Sequence, residues 1–570
     1  MVDETSPLLE SQPSKSADAP FPGSDAPESP WRPFPGFWWI ETALWANVFL
    51  SGFDGTITAS TYAAIGSDFG AANNAAWLTT SYLVTSTAFQ PLYGRFSDML
   101  GRRVCFFAST LAFMAGCLGC ALADGMLLLI AMRAVAGVGG GGLINMATVI
   151  NSDMIPFRQR GYYQAMQNVL FGFGSVLGAS LGGVIAESIG WRWCFLLQVP
   201  VSVLAVVVGY VVLEDPPCVD PCVDPKRRFR SAVGRLDLSG SLTLVLGLVS
   251  QLMGLSLGGN EFDWASTPVV GSLVGSVVLL GMFVGVEATT RAVPMIPLGM
   301  LKGWQPVAVQ LANAFSGMAA YAYMFMVPLY FQAVRGDSPS AAGMRLTIPA
   351  LATPVGGVIA GWLMQRGVPL RFNVRLGTAT MLLGNLLALS LGMTGSRWKE
   401  FVYLVPANLG LGLANPSLLF SFISLFEHKE QAVATSTVYL IRSMGTIYGV
   451  TLTSAIVQNV LLARLPAALG DAATEDLIEK LRKSLFALEE LPQDLQVAVR
   501  ALYCDALRFA FAASSAFALL SFLFSLAHRT GPMERKPDAK RLLTEREGDK
   551  AGTGGNVRGC LGGGSVIDEA

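Results

Sequence analysis

The sequence predicts an all-α polytopic membrane protein that crosses the bilayer about fourteen times. Hydrophobic residues make up 52% of the 570 residues and charged residues only 14%, whereas soluble domains carry about 25% charged residues. The apolar residues form continuous runs, not the alternating pattern of a membrane β-barrel. This composition excludes a soluble enzyme and a disordered scaffold, and a net charge of −1 excludes a nucleic-acid-binding surface.

Fourteen apolar runs approach the length of about 20 residues that a membrane-spanning helix needs. In chain order they cover residues 38–60, 75–93, 104–123, 126–150, 164–186, 194–213, 238–257, 268–287, 306–330, 342–363, 373–393, 401–425, 432–459 and 505–527. The polar and basic residues 214–236 predict a linker between two membrane halves. The polar residues 1–37 and the charged, Gly-rich residues 530–570 predict disordered tails.

The distribution of Lys and Arg predicts that both tails are cytosolic. With that orientation the cytosolic loops hold sixteen basic residues and the opposite short loops hold five, which agrees with the positive-inside rule. Residues 460–503, between the last two spans, contain an amphipathic helical pattern. We therefore expect that segment to lie on the non-cytosolic face.

The turn after the second span carries one acid and three bases between two glycines. It reads Gly94-Arg95-Phe96-Ser97-Asp98-Met99-Leu100-Gly101-Arg102-Arg103, and it resembles the signature loop of the major facilitator superfamily. The resemblance implies two six-helix halves, 38–213 and 304–529, with two additional spans in 237–303. It also implies that Asp98 stabilises one access state by contacting helix ends across the halves. The simpler alternative is a basic loop that anchors the helices in the cytosol.

Three stretches inside spans resemble motifs of the fourteen-span drug:proton antiporter family. Phe53-Asp54-Gly55-Thr56-Ile57 is similar to the first-span motif L-D-x-T-I, and Arg133-Ala134-Val135-Ala136-Gly137 is similar to the fourth-span motif R-x-x-x-G. The fifth span resembles the motif G-x-x-x-G-P-x-x-G-G through Gly174, Gly178, Gly182 and Gly183, with Ala179 in place of the family's proline. Apart from the resemblance, glycines inside spans indicate close helix packing.

Polar residues inside the spans are the candidates for the transport site, because a charge there costs about 2.5–3.5 kcal/mol. Asp54 is expected to bind a proton or a cationic substrate, or else to be a hydrogen-bonded structural residue. Arg133 is expected to pair with a carboxylate and tune its proton affinity, or to bind backbone carbonyls. Asn145 is expected to line a cavity, the alternative being that it only forms hydrogen bonds with neighbouring helices. Arg442 is either a gate in the second half or a side chain that extends to the cytosolic surface.

Two features point to a narrower function. Residues 190–200, GWRWCFLLQVP, resemble the corresponding stretch of fungal vacuolar basic amino-acid transporters. Glu4, Leu8 and Leu9 fit the acidic dileucine pattern that sorting adaptors bind. We therefore expect a proton-coupled transporter in the vacuolar membrane that moves a small cationic substrate, a basic amino acid, out of the cytosol. The alternative is a multidrug or toxin:proton antiporter of the plasma membrane.

The sequence contains none of the motifs expected of an enzyme or an ATP-driven pump. It lacks the nucleotide-binding pattern G-x-x-x-x-G-K-[ST], and no metal-binding or nucleophile constellation stands out. We therefore predict no enzymatic activity, no metal and no cofactor. The expected partners are the substrate, protons, the lipid bilayer and a sorting adaptor.

Overall fold

The computed structural model describes residues 33–69, 76–213, 237–258, 262–290, 294–337, 339–393, 397–427, 430–469, 477 and 491–527. The described ranges exclude the predicted linker 214–236, most of the predicted N-terminal tail, the whole predicted C-terminal tail 530–570 and most of segment 470–490. The sorting residues Glu4, Leu8 and Leu9 lie outside them as well. Within the described ranges the chain is helical and forms no β-strand.

The first six predicted spans form seven helices, because Leu197 separates two helices within the sixth span. The helices are α1 (Phe37–Asp68), α2 (Ala76–Leu100), α3 (Arg102–Ala121), α4 (Met126–Met154), α5 (Phe157–Ser188), α6 (Arg192–Leu196) and α7 (Gln198–Val212). Together α6 and α7 cover 192–212, which is long and apolar enough for one span.

The remaining eight predicted spans each correspond to one helix. These are α8 (Leu238–Leu257), α9 (Thr267–Thr289), α10 (Trp304–Leu329), α11 (Pro339–Gln365), α12 (Leu370–Ala388), α13 (Arg397–Ile423), α14 (Gln431–Leu469) and α15 (Gln493–Leu526). A 3₁₀ turn at Leu298–Leu301 precedes α10, and a π-helical turn at Tyr330–Val334 extends it.

Length and composition qualify ten helical segments of the described chain as membrane spans. The other four predicted spans are α1, α2, α11 and α12, which pack into the same helical assembly. Large apolar side chains point outward, with Leu127 83% exposed, Val211 75% and Val277 69%. Such an apolar outer surface is suited to contact with lipid and not with water.

Each half buries apolar side chains between its own helices. In the first half Leu44 of α1, Phe106 of α3 and Met146 of α4 belong to one core cluster. In the second half Val457 of α14 and Phe511 of α15 share a cluster with the end of α10. These two clusters therefore lie within separate groups of helices.

The additional helices α8 and α9 pack against each other and also contact both halves. One apolar cluster contains Leu248 of α8, Phe283 of α9, Leu92 of α2 and Leu440 of α14. Gln251 of α8 also donates a hydrogen bond to the Tyr448 hydroxyl of α14. The α8–α9 pair therefore covers the seam where α2 and α14 meet.

The last two helices extend beyond the predicted spans into segment 460–503. Helix α14 continues to Leu469 and α15 begins at Gln493. The reason is apolar spacing: Leu461, Leu465 and Leu469 recur every four residues and are buried in the same cluster as Val499 of α15. Packing between the two helices prolongs both of them into the segment. Its position relative to the membrane stays a prediction.

Candidate functional site

A buried ion pair joins the first and fourth helices. The Arg133 Nη1 donates to both carboxylate oxygens of Asp54, at 2.8 and 2.9 Å. Asp54 is 0% exposed and Arg133 is 1% exposed. The carboxylate expected to pair with Arg133 is therefore Asp54, 79 residues away in the chain.

Two further spans complete the surroundings of the pair. Arg133 Nε donates to the Leu78 carbonyl oxygen of α2 at 3.1 Å, and the guanidinium lies 4.5 Å from the centre of the Tyr82 ring, a favourable cation–π distance. From α7, Gln198 Nε2 donates to Asp54 Oδ1 at 3.3 Å. The two opposite charges therefore compensate each other in a site from which solvent is excluded.

The glycine motif of α5 positions the helix beside Asp54. A methyl group at Gly174 would overlap the Phe49 carbonyl oxygen of α1, and one at Gly178 would overlap the Phe53 carbonyl oxygen. These two glycines therefore let α5 approach the α1 backbone next to Asp54. Of the other two, Gly182 accepts a hydrogen bond from Cys194 Sγ at 3.6 Å. Gly183 has open space around it. The side chain of Ala179 is outside the described part of the chain.

The signature loop forms a charged cluster at the ends of α2 and α3. Arg102 forms two ion pairs. Its Nη1 lies 2.6 Å from Asp98 Oδ1, and its Nε lies 2.7 Å from Oδ2 of Asp153 at the end of α4. Gly101 starts α3 with a φ of +103°, a backbone conformation that favours glycine. The ion pair of Asp98 thus lies within the first half, while its Oδ2 atom has no hydrogen-bond partner. Among the described residues, Asp98 forms no hydrogen bond or ion pair with the second half. The direct contact across the halves that the resemblance implied is therefore not seen.

The other two loop arginines bind backbone carbonyls of neighbouring segments. Arg95 Nε donates to the Pro294 carbonyl oxygen at 2.6 Å, which attaches the loop to the segment after α9. Arg103 donates to the Tyr210 carbonyl oxygen of α7 at 2.9 Å. The loop therefore ties together α2, α3, α4, α7 and the additional helices.

The halves meet at the end of the helix bundle that carries residues 94–103, which we call the signature end. A methyl group at Gly94 would overlap Ser436 Oγ of α14 and lie 2.7 Å from the Ala432 carbonyl oxygen. Nearby, Arg160 Nη1 of α5 donates to Gln431 Oε1 at 2.8 Å. The two halves are therefore in direct contact at the signature end.

Asn145 belongs to this contact between the halves. Its Nδ2 donates to the Ser436 hydroxyl of α14 at 2.7 Å and to the Gln90 carbonyl oxygen of α2 at 2.9 Å. The Thr148 and Tyr439 hydroxyls are hydrogen-bonded at 2.9 Å one turn further along. Asn145 therefore links α2, α4 and α14 where we had expected a cavity-lining residue.

Arg442 is held inside the second half. Its Nε donates to Asn313 Oδ1 of α10 at 3.0 Å, and its Nη2 donates to the Asn415 carbonyl oxygen of α13 at 3.1 Å. These contacts disagree with one of the two predicted alternatives, a side chain that extends to the cytosolic surface. In the described chain, no carboxylate forms an ion pair with Arg442.

Sequence reasoning missed three polar residues at these sites. Gln198 lies in the quoted stretch 190–200, where it is the one amide among apolar and aromatic residues, so a signal was present. Glu41 of α1 is 0% exposed, but it lies close to the start of the first apolar run, where burial of a carboxylate could not be predicted. Glu400 of α13, 1% exposed, pairs with Arg335 and Arg345 at 2.9 Å, and only the fold brings these residues together. In the described residues, no cluster of side chains suited to a metal occurs.

The sequence of this chain is similar to those of a known protein family. The family model described as Major Facilitator Superfamily matches residues 44–450. The chain is 44% identical to the vacuolar basic amino acid transporter 2 of Saccharomyces cerevisiae over 422 residues, 72% of this chain and 87% of that protein. It is 35% identical to the multidrug resistance protein fnx1 of Schizosaccharomyces pombe over 493 residues, 86% of this chain and 92% of that protein.

A solved structure agrees with the fold. The human organic anion transporter MFSD10 (TETRAN) aligns with a TM-score of 0.56 at 12% sequence identity, covering 86% of this chain and 100% of that chain. At this identity the likeness extends to the helical architecture alone.

Proposed function

Because the chain belongs to the major facilitator superfamily, we propose that it is a proton-coupled transporter that moves basic amino acids from the cytosol into the vacuole. As a member of this superfamily it is an integral membrane transporter and not an enzyme. The substrate class, the proton coupling and the vacuolar membrane are the parts of the proposal that need testing.

The observation that carries the mechanism is the buried pair of Asp54 and Arg133. In the proposed cycle the pair is intact when Asp54 holds no proton. A proton that binds Asp54 neutralises the carboxylate and releases the Arg133 guanidinium from it. Because both side chains bridge helices of the first half, making and breaking the pair changes how these helices pack, which couples proton binding to a change of access.

The closed signature end defines the access state in this proposal. If residues 94–103 face the cytosol, as the distribution of Lys and Arg predicts, this conformation is closed towards the cytosol. The halves would then rock about a central site to reach the opposite state. We propose that Asp98 and Arg102 stabilise the closed state through the helix ends they connect, and that Arg442 is a gate in the second half.

The choice of substrate rests on similarity to the yeast vacuolar basic amino acid transporter 2. A second candidate function, export of drugs or toxins across the plasma membrane, is favoured by the similarity to the multidrug resistance protein fnx1. Imaging of a fluorescently tagged chain separates the two membranes. We expect signal at the vacuolar rim, and signal confined to the cell surface would favour the second candidate.

Transport by the isolated protein tests the proposal directly. Purified chain is placed in lipid vesicles, and uptake of Lys, Arg, His and a cationic dye is measured with and without a pH gradient. We expect the gradient to drive accumulation of the amino acids. Accumulation of the dye alone would favour drug export, and uptake that ignores the gradient would contradict proton coupling.

A further inference from the structure

Glu41 is a second buried carboxylate in the first half, far from the Asp54 pair along α1. It lies one turn after Phe37, where α1 begins at the signature end, and it is 0% exposed. Phe37, Ile155 and Tyr163 form an apolar cluster at this end of the half. An acid in such an enclosure has lost its hydration and depends on protein partners for its charge.

The partners of Glu41 are poor ones for a carboxylate. Asn151 Nδ2 of α4 donates to Glu41 Oε2 at 3.5 Å, which is a long hydrogen bond. The other oxygen, Oε1, has no hydrogen-bond partner. No Lys or Arg of the described chain forms an ion pair with it.

The charged groups near this end of the bundle are directed to other partners. From α3, Arg102 binds Asp98 and Asp153, and Arg103 binds a carbonyl of α7. From α5, Arg160 donates to the Ile155 carbonyl oxygen and to Gln431.

Among the residues that the structure describes, the titratable groups facing this region supply no compensating charge. The Tyr163 phenol of α5 interacts electrostatically with Glu41. On α2, the Tyr93 hydroxyl donates to the Val138 carbonyl oxygen. Within the described ranges a charged Glu41 would therefore lack a counter-charge, in an environment where an uncompensated charge is very unfavourable.

A neutral acid fits the same surroundings. Asn151 has an unpartnered oxygen, Oδ1, on the amide group whose nitrogen contacts Glu41. A protonated carboxyl group has one O–H donor and one carbonyl acceptor, which complement the oxygen and nitrogen of a primary amide. A carboxylate offers only acceptors and leaves Asn151 Oδ1 without a donor.

We propose that Glu41 is a second proton-binding site of the transporter, occupied in this conformation, with the Asn151 amide as its hydrogen-bonding partner. The role of Glu41 in transport rests on the proposed proton coupling. The binding of a proton to Glu41 in this conformation does not depend on that proposal. In this state Asp54 is paired with Arg133, while Glu41, the other buried acid of α1, holds a proton.

Infrared difference spectroscopy of the purified full-length chain tests the bound proton without any transport. A protonated carboxyl group gives a C=O stretching band that a carboxylate lacks. At neutral pH we expect the wild type to show a band that is lost in Glu41→Gln. The matched control is Glu427→Gln, the same chemical change at an exposed residue, which should leave that band unchanged. An unchanged band in Glu41→Gln would overturn the proposal.

A second variant tests the hydrogen-bonding partner of Glu41. In Asn151→Leu the acid remains but loses its amide partner, so we expect the band to persist at a shifted frequency. A band at the wild-type frequency would overturn the role of Asn151. Stability gives a further readout: Glu41→Gln should match the wild type in thermal unfolding, since an amide replaces a neutral acid, and a strongly destabilised variant would contradict the neutral acid.

Transport measurements separate this inference from the proposed function. If uptake is proton-coupled, Glu41→Gln should weaken the dependence of uptake on external pH, while Glu427→Gln should retain it. A wild-type pH dependence in Glu41→Gln would overturn a role in coupling. If the wild type itself transports without regard to pH, the proposed function fails, and the infrared band still decides whether Glu41 binds a proton.

Discussion

Removing the charge of Asp54 alone should strongly destabilise the protein. Asp54→Asn keeps the size of the side chain but leaves Arg133, which is 1% exposed, as a buried charge without a counter-charge. Breaking a buried ion pair on one side costs about 3–5 kcal/mol. For a cooperative unit of 150–250 residues, 1 kcal/mol shifts the melting temperature by about 2–4 °C, so we expect a loss of about 6–20 °C.

A double variant distinguishes the pair from its separate members. In Asp54→Asn combined with Arg133→Met both charges are gone, and replacing a whole buried pair is often neutral. We therefore expect the double variant to recover most of the lost thermal stability. The assay is thermal unfolding of the purified variants in detergent, followed by intrinsic tryptophan fluorescence.

The double variant also tests whether the ion pair couples transport to proton movement. We expect the stable double variant to lose accumulation driven by the pH gradient, because the carboxylate proposed to bind the proton is gone. If Asp54→Asn unfolds within about 2 °C of the wild type, the pair contributes less than about 1 kcal/mol and the reasoning from burial is wrong. A well-folded variant that still concentrates substrate would place the coupling residue elsewhere.

Three further predictions concern the contact between the halves and the N-terminal tail. Gly94→Ala should destabilise the closed signature end by about 1–3 kcal/mol, because the added methyl group overpacks against Ser436. We expect increased labelling of cysteines at that end, and unchanged labelling would contradict the prediction. Asp98→Asn should slow transport without weakening substrate binding, because it removes the ion pair with Arg102, and equal turnover at equal expression would count against this role. Changing Leu8 and Leu9 to Ala should send a folded protein to the cell surface, and an unchanged vacuolar location on imaging would rule out the sorting function.

The sequence was sufficient to predict the helices, because their signal is local. Each span is a continuous apolar run, and the rarity of charge inside such runs drew attention to Asp54 and Arg133 one at a time. Their pairing was not predictable, since it depends on how the first and fourth helices pack. Asn145 shows the same limit: an amide inside a span is consistent with a cavity or with a helix contact, and only the position of Ser436 decides between them.

Two other features were hidden for different physical reasons. The extensions of α14 and α15 come from apolar residues that pack on each other beyond the length of a membrane span, and a search for bilayer-length runs stops before them. Glu41 lies close to the start of its helix, where a polar residue usually reaches water. Its burial is a consequence of how α4 and α5 enclose that end.

The ion pair of Asp54 and Arg133 also has a consequence for the order in which the chain is assembled. The first span is synthesised 79 residues before the arginine that neutralises its acid, and Gln198 follows 144 residues after Asp54. During that interval the first span carries an acid whose burial in lipid costs about 2.5–3.5 kcal/mol. The first span is therefore less stable in the bilayer alone than after it has packed against the fourth span. A chain truncated before Arg133 would present an unneutralised acid within the membrane, which gives cellular quality control a chemical mark of incomplete synthesis.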